Sequence, residues 1–154
     1  MNKENLTPDQ MNRICNYDSG LQGLSERSSD MRDIDKGEVE GEKLSFLARK
    51  VYVNRVAQFI GSYFVELGGC DAIVFTAGVG ENSISTRSAL IPYLAKSLGI
   101  EYTIGEENKT PICNGKGYKI SGPNSKVDVF VIPTNEELMM CRDTYEIVKD
   151  LKNE

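Results

Sequence analysis

The sequence predicts an α/β fold, because two short apolar segments are each followed by a polar turn and the start of a helix. Residues 72–75 (AIVF) and 127–132 (VDVFVI) are rich in β-branched and aromatic residues, which is typical of buried strands. The turns after them, at residues 76–83 and 133–137, carry glycine or helix-capping residues. We expect both turns to lie at the carboxyl edge of one sheet, where open α/β folds bind ligands.

Composition limits the class of protein. The chain has 154 residues, of which 40% are hydrophobic and 27% are charged, as expected for one globular domain. The formal charge is −5 and no basic block is present, which argues against nucleic acid as a partner. The sequence has neither a membrane-length apolar run nor an N-terminal signal pattern, so we expect a soluble, cytoplasmic protein with no membrane partner.

The residue types also limit the chemistry. The four cysteines stand at positions 15, 70, 113 and 141, too far apart for a C-x-x-C motif, and the chain has no histidine. A zinc site, a Cys/His nucleophile and a Ser-His-Asp triad are therefore poorly supported. Any chemistry must use carboxylates, arginine, lysine, hydroxyls, backbone amides or a bound metal.

The N-terminal third is predicted to be helical in part. Thr7 is a suitable N-cap and Pro8 a suitable first residue for a short helix, whose apolar face would consist of Met11, Ile14 and Cys15. The polar residues 25–33 favour a solvated loop, with a helix start as the alternative. Residues 34–43 indicate an acidic helix followed by a connector.

Residues 44–67 give the clearest helical pattern, with apolar residues at i, i+3, i+4 and i+7 almost throughout. The apolar stripe is wide, so we expect this helix to be largely buried against a sheet, as core rather than as a cofactor pocket. Gly61 suggests close approach to a neighbour. The pair Gly68-Gly69 is expected to end the helix.

The next helix is predicted over residues 84–98, capped by Asn82 or Ser83 and closed by Gly99. Pro92 should kink or divide it.

The last third is predicted to contain the second buried strand and a final helix. Residues 101–104 form a probable strand, and residues 118–120 are expected to pair back with it as a hairpin beyond a turn at Asn114-Gly115. A second turn follows at residues 122–125. The last helix is expected to begin after Thr134 or Asn135 and to reach residue 151.

Three groups of residues are candidates for ligand binding. Gly78-Val79-Gly80 follows a strand and precedes a helix, an arrangement that offers backbone N–H groups to a phosphate or nucleotide, with glycine permitting positive φ and close approach. The spacing is neither G-x-G-x-x-G nor a P-loop, so an ordinary strand-to-helix connection is the alternative. Glu136 is a carboxylate at the same edge, unless it only balances the helix dipole. The pair Asp30 and Arg32 could hold the polar edge of a ligand.

Three separated motifs resemble the acetate kinase family. FTAGVGENS (75–83) is similar to its nucleotide-binding glycine loop, and SGLQGLSERSSDMRDI (19–34) and VFVIPTNEEL (129–138) are also similar. The resemblance implies part of the C-terminal actin-like ATPase domain of the superfamily that includes acetate and sugar kinases, actin and heat-shock ATPases. It also implies reversible transfer of the ATP γ-phosphoryl group to acetate, giving acetyl phosphate and ADP, with Mg²⁺.

The resemblance assigns roles to particular residues. Nucleotide contacts are implied for Asp30, Met31 and Arg32. Contacts with adenosine and the inner phosphate are implied for Gly78, Val79, Gly80, Glu81 and Asn82. Glu136 matches a magnesium carboxylate of the family, consistent with the preference of Mg²⁺ for one or two carboxylates plus phosphates and waters.

The resemblance covers only the C-terminal portion of such enzymes. Residues 1–154 are expected to form a partial C-terminal nucleotide-binding domain that lacks the N-terminal domain, the first part of the C-terminal domain and any catalytic residue. Since phosphoryl transfer needs several parts at once, we expect no kinase activity from this chain alone. The alternatives are a nucleotide-binding module without catalysis and a structural remnant; propionate is an alternative acceptor. Uncovered strand and helix surfaces predict a homodimer or other association.

Overall fold

The computed structural model describes residues 2–102, 116–149 and 151. A 3-10 turn at Asn2–Glu4 precedes seven helices and three strands in the described residues, in mixed α/β order. They are α1 (Pro8–Asn16), α2 (Gly20–Ser25), α3 (Met31–Val39), α4 (Lys43–Glu66), β1 (Ala72–Phe75), α5 (Ala77–Asn82), α6 (Ile84–Leu98), β2 (Tyr118–Lys119), β3 (Asp128–Val131) and α7 (Glu136–Val148).

The sheet brings the two predicted strands side by side. Its order is β1-β3-β2, with β1 parallel to β3 and β2 antiparallel to β3. Ile73 pairs with Val129 and Val74 with Phe130, so the two parallel strands end at the same edge. This is the arrangement that the sequence predicted, and it places the starts of α5 and α7 at one rim.

One face of the sheet is covered by helices. Val129 and Val131 of β3 are buried against apolar residues of α4 and α6, and Ile73 and Phe75 of β1 pack against the same cluster. Its buried helical members are Val53, Leu90, Ile91, Leu94 and Leu98. Burial of these side chains is the main source of stability for this half of the molecule.

The other face of the sheet is open in the described part of the chain. Side chains alternate between the faces of a strand, so Val74 and Ile132 point away from the core, and they are 47% and 41% exposed. The helix α7 buries none of its residues, although the sequence gives it an apolar stripe. β1 is an edge strand of the described sheet, with β3 as its neighbour.

The expectation that the long helix would be largely buried is wrong. α4 matches its predicted bounds within one residue, but its buried residues are Ser45, Ala48 and Val53. Phe59 and Tyr63 are 48% and 58% exposed and lie near each other in a stacked arrangement. Gly61 does not mark a close approach, because a Cβ there would meet nothing within 4 Å. Amphipathic spacing predicts the helix, but burial of its apolar stripe depends on neighbours that the described residues do not supply.

The predicted glycine turn is instead a short helix, α5. Gly78 and Gly80 both lie inside it, and neither has positive φ; the left-handed residue is Ala77, at φ +55°. At Gly80, glycine serves close packing rather than positive φ, since a Cβ there would lie 3.2 Å from the carbonyl carbon of Phe75.

One other expectation needs correction. The polar residues 25–33 are not a solvated loop, because Ser25 and Met31 are buried and α3 begins at Met31. Pro92 lies within α6 and does not divide it, so the kink, which was the other possibility, stays a prediction. None of the residues of α1 is buried.

Of the predicted hairpin, the described residues show a bridge between Tyr102 and Ser121, while β2 pairs with β3. Ile104 and the predicted Asn114-Gly115 turn lie outside the described residues.

Several local predictions are confirmed. Thr7 caps α1 in a reciprocal capping box with Gln10, Ser83 caps α6 and Asn135 caps α7. Gly99 ends α6 in the left-handed conformation. None of the described helices has the length and apolar character that crossing a membrane requires.

Candidate functional site

A cavity of about 550 Å³ lies between the start of α3 and the α5–α6 segment. It brings together two of the sequence motifs, which are separated by more than forty positions in the chain. Its lining consists of Asp30, Met31, Arg32, Asp35, Gly78, Val79, Asn82 and Ser83. Six of these eight residues are ones for which nucleotide contacts were predicted from the sequence. The cavity has both polar and apolar walls, as small-molecule sites commonly do.

The first wall is the N-terminus of α3. Asp30 is its N-cap residue and accepts a hydrogen bond from the backbone N–H of Arg32 at 2.8 Å. The Arg32 guanidinium also donates to both carboxylate oxygens of Asp30, with Nη2 at 2.6 Å from Oδ2. These hydrogen bonds to Arg32 lower the pKa of Asp30 from 3.8 to about 2. They also raise the pKa of Arg32.

The second wall is α5. Val79 packs on the small apolar cluster formed by Met31, Ile34 and Ala48, which joins this wall to α3 and α4. A Cβ on Gly78 would meet nothing within 4 Å, so the absence of a side chain leaves open space here. The side-chain amide of Asn82 donates to the carbonyl of Gly78 at 2.9 Å. Thr76, the N-cap residue of α5, makes no side-chain capping bond.

Gly80 and Glu81 lie on the same helix but are absent from the cavity lining. Their carbonyls accept hydrogen bonds from Nη1 of the buried Arg87, at 2.7 Å each. The Glu81 carboxylate accepts from the backbone N–H and hydroxyl of Thr134, at 2.9 and 3.2 Å. These contacts tie the end of α5 to α6 on one side and to the end of β3 on the other. Gly80 and Glu81 therefore connect α5 to its neighbouring elements and do not line the cavity.

Glu136 stands at the start of α7, beside Glu137, and is exposed. It lies two residues beyond Thr134, the residue that contacts Glu81. The structure does not include it among the residues that line the cavity. No group of three or more His, Cys, Asp or Glu side chains that could hold a metal occurs in the residues that the structure describes.

Sequence reasoning missed three residues of this region. Asp35 lines the cavity one helical turn after Met31, and that i+4 spacing could have indicated it. Ser83 was recognised as a helix cap but not as part of the cavity lining. Arg87 gave no signal, because an arginine in a helix is normally exposed and this one is fully buried.

Comparison with known proteins identifies one family. The sequence model of the Acetokinase family matches residues 1–142. The chain is 49% identical over 148 residues to an acetate kinase of Dictyoglomus turgidum, an alignment that covers 96% of this chain and 35% of that protein. It is 45% identical over 152 residues to an acetate kinase of Thermotoga maritima, covering 98% and 37%. The chain thus spans about a third of the length of these relatives.

Solved structures agree in fold. The acetate kinase of Entamoeba histolytica superposes with a TM-score of 0.82 and 37% identity, over 93% of this chain and 37% of that one. A propionate kinase of Francisella tularensis gives a TM-score of 0.76 and 32% identity, over 90% and 34%. The mixed α/β arrangement described above is therefore part of the actin-like ATPase fold of these enzymes.

Proposed function

Because this chain belongs to the Acetokinase family, we propose that it supplies the adenine-nucleotide side of a carboxylate kinase. The complete reaction would transfer the γ-phosphoryl group of ATP to acetate, giving acetyl phosphate and ADP. We propose further that residues 1–154 correspond to part of the C-terminal nucleotide-binding domain of such an enzyme. The relatives are about three times as long, so activity, substrates and partners of the complete protein belong to this proposal.

One observation carries the proposal: the cavity between the start of α3 and the α5–α6 segment, which is lined by residues 30–32 and by Gly78, Val79 and Asn82. It has open space at Gly78, an apolar wall at Val79 and an amide at Asn82. An aromatic base can lie on apolar and glycine surfaces, while backbone N–H groups near a helix start suit an inner phosphate. The Asp30–Arg32 pair would meet the polar edge of the nucleoside.

Glu136 is the proposed ligand for magnesium. A carboxylate oxygen suits Mg²⁺, which binds through one or two carboxylates together with substrate phosphates and waters. Bound magnesium would neutralise charge on the phosphates. Glu136 would hold it at the rim where β3 ends.

The chain by itself is proposed to bind nucleotide without catalysis. It has no histidine, and phosphoryl transfer depends on positioning and charge neutralisation by several groups at once. Propionate is a second candidate acceptor, favoured by the likeness to the Francisella propionate kinase. The open sheet face and the exposed residues of α7 favour self-association as a homodimer.

Calorimetric titration with ADP in the presence of magnesium tests the proposal. The wild-type chain should bind, and Gly78→Leu should weaken binding by about tenfold or more, because the new side chain fills open space in the cavity. Gly61→Leu is the matched control, since Gly61 is also helical with open space around it but lies on α4 outside the cavity. Absence of binding by the wild type would overturn the proposal.

An acetyl phosphate assay tests the catalytic part separately. We expect the purified chain to give no turnover with ATP, acetate and magnesium. Turnover comparable with that of a complete acetate kinase would show that the chain contains all of the reacting groups, contrary to the proposal.

A further inference from the structure

Asp35 is a half-buried carboxylate that the proposed site has not yet used. It lies on α3, its side chain is 28% exposed, and it lines the cavity. Its two oxygens accept three hydrogen bonds. The Ser85 hydroxyl donates to Oδ1 at 2.8 Å, the Ser83 hydroxyl to Oδ2 at 3.1 Å, and Arg49 Nη1 to Oδ1 at 3.3 Å.

The three donors come from elements other than α3. Ser83 is the N-cap of α6 and directly follows α5, so it marks the end of the second cavity wall. Arg49 lies on α4, beneath both walls, and also pairs with Glu38 of α3. Asp35 therefore links the wall that carries Asp30 and Arg32 to the wall that carries Gly78–Asn82. The other link described above, Val79 on the Met31 cluster, is apolar and less directional.

Hydrogen bonds of this kind determine how rigidly the walls of a cavity keep their positions in the absence of ligand. Hydrogen bonds to a charged acceptor are stronger than neutral ones, and they weaken when their geometry changes. A site held in its binding geometry loses less entropy when the ligand binds. A single carboxylate that accepts from both walls and from the helix beneath them is suited to set the separation of the walls.

We infer that Asp35 is a positioning residue for nucleotide binding, fixing the α5–α6 wall against α3 through the hydroxyls of Ser83 and Ser85. This inference rests on the proposed nucleotide site. Asp35 is not a catalytic residue, because it acts through Ser83 and Ser85. Its effect should appear in ADP affinity itself, and not only in the stability of the fold.

The test compares ADP affinity with thermal stability in four chains: wild type, Asp35→Ala, the double variant Ser83→Ala/Ser85→Ala, and the triple variant that combines them. Titrations with ADP and magnesium are made well below the lowest melting temperature of the set, where every chain is folded. Asp35→Ala should weaken ADP binding by about tenfold or more. The triple variant should bind no worse than Asp35→Ala, because the hydroxyls and the carboxylate act as one unit.

Asp143→Ala is the matched control, since it removes an exposed carboxylate from α7, away from the cavity. It should bind ADP like the wild type. If Asp35→Ala melts at a lower temperature but binds ADP within about twofold of the wild type, Asp35 has only a structural role and the inference is overturned. If the wild type does not bind ADP, the proposed function is overturned and this inference falls with it. Additive losses in the triple variant would also contradict it.

Discussion

The two strand–helix units of this chain share one sequence pattern but have different surroundings. β1 leads through Thr76 into α5 and then into α6, which Ser83 caps, and β3 leads through a polar segment into α7, which Asn135 caps. α6 buries six of its residues, including Leu90, Ile91 and Arg87, whereas α7 buries none. The difference shows that the sequence pattern specifies a helix and the residue at which it begins. Whether that helix is buried depends on the segments that pack against it.

The two strand–helix units also differ in what they contribute to the cavity. The covered unit carries the cavity wall, because Arg87 holds the end of α5 and Ser83 joins it to Asp35. The exposed unit is joined to it at the rim by the two hydrogen bonds that Thr134 donates to Glu81. We therefore expect substitutions in the first unit to change both stability and binding, and substitutions in the second to change mainly association.

The largest expected difference in stability is between the same substitution, leucine to alanine, made in α6 and in α7. Leu90→Ala in α6 should lower the free energy of unfolding by about 2–5 kcal/mol, because Leu90 is fully buried in the core. Leu138→Ala in α7 should lower it by about 0.5 kcal/mol or less, because Leu138 is 42% exposed. Urea denaturation of both variants measures this. Equal losses would mean that α7 is covered in solution.

The helix caps give a smaller difference. Ser83→Ala should lower the free energy of unfolding by about 1–2 kcal/mol, since the hydroxyl caps α6 and also donates to Asp35. Asn135→Ala removes the exposed cap of α7 and should lower it by about 0.5–1 kcal/mol. The melting temperatures of the two variants should fall in the same order. The reverse order would contradict the account.

The open face of the sheet should affect association more than stability. Ile132→Lys places a charge on that face and should change the free energy of unfolding by less than about 0.5 kcal/mol. If the face takes part in a homodimer, this variant should sediment as a monomer at concentrations where the wild type associates. Sedimentation velocity measures this directly. A wild type that is monomeric throughout would remove the proposed dimer.

The smallest expected effect is the pH dependence that arises from Asp30. Its pKa is lowered to about 2 by Arg32, so its contribution to stability is present above its ordinary value of 3.8. That contribution is lost as the pH falls from 3.8 towards 2. The difference in unfolding free energy between wild type and Asp30→Asn should therefore be largest above about pH 5 and should fall as the pH drops through 3.8 towards 2. A difference that is as large at pH 2 as above about pH 5 would contradict the assigned cause.

The sequence predicted the parallel strands, their common edge and the caps at Thr7, Ser83 and Asn135, because these depend on neighbouring residues. It did not predict α5 as a helix. Gly78 and Gly80 lower helix propensity, but the hydrogen bonds from the buried Arg87 to the carbonyls of Gly80 and Glu81 stabilise the helical form.

The candidate site was also predicted only in part, because only some of its residues belong to motifs that can be recognised from the sequence. Met31, Val79 and Asn82 belong to motifs that could be recognised from the sequence, and the fold brings them together. Asp35 carries no motif, and its importance comes from hydroxyls on Ser83 and Ser85, about fifty positions away. The direction of the Glu81 side chain towards Thr134 likewise depends on the pairing of β1 with β3.

Two separated segments are proposed to form one nucleotide cavity. Amide chemical shifts of the isotope-labelled chain, recorded during titration with ADP and magnesium, test this proposal. We expect shifts at Asp30–Arg32 and at Gly78–Ser83, with the amides in the last two turns of α7 unchanged. Shifts confined to α7, or no shifts at either cavity wall at saturating ADP, would contradict it.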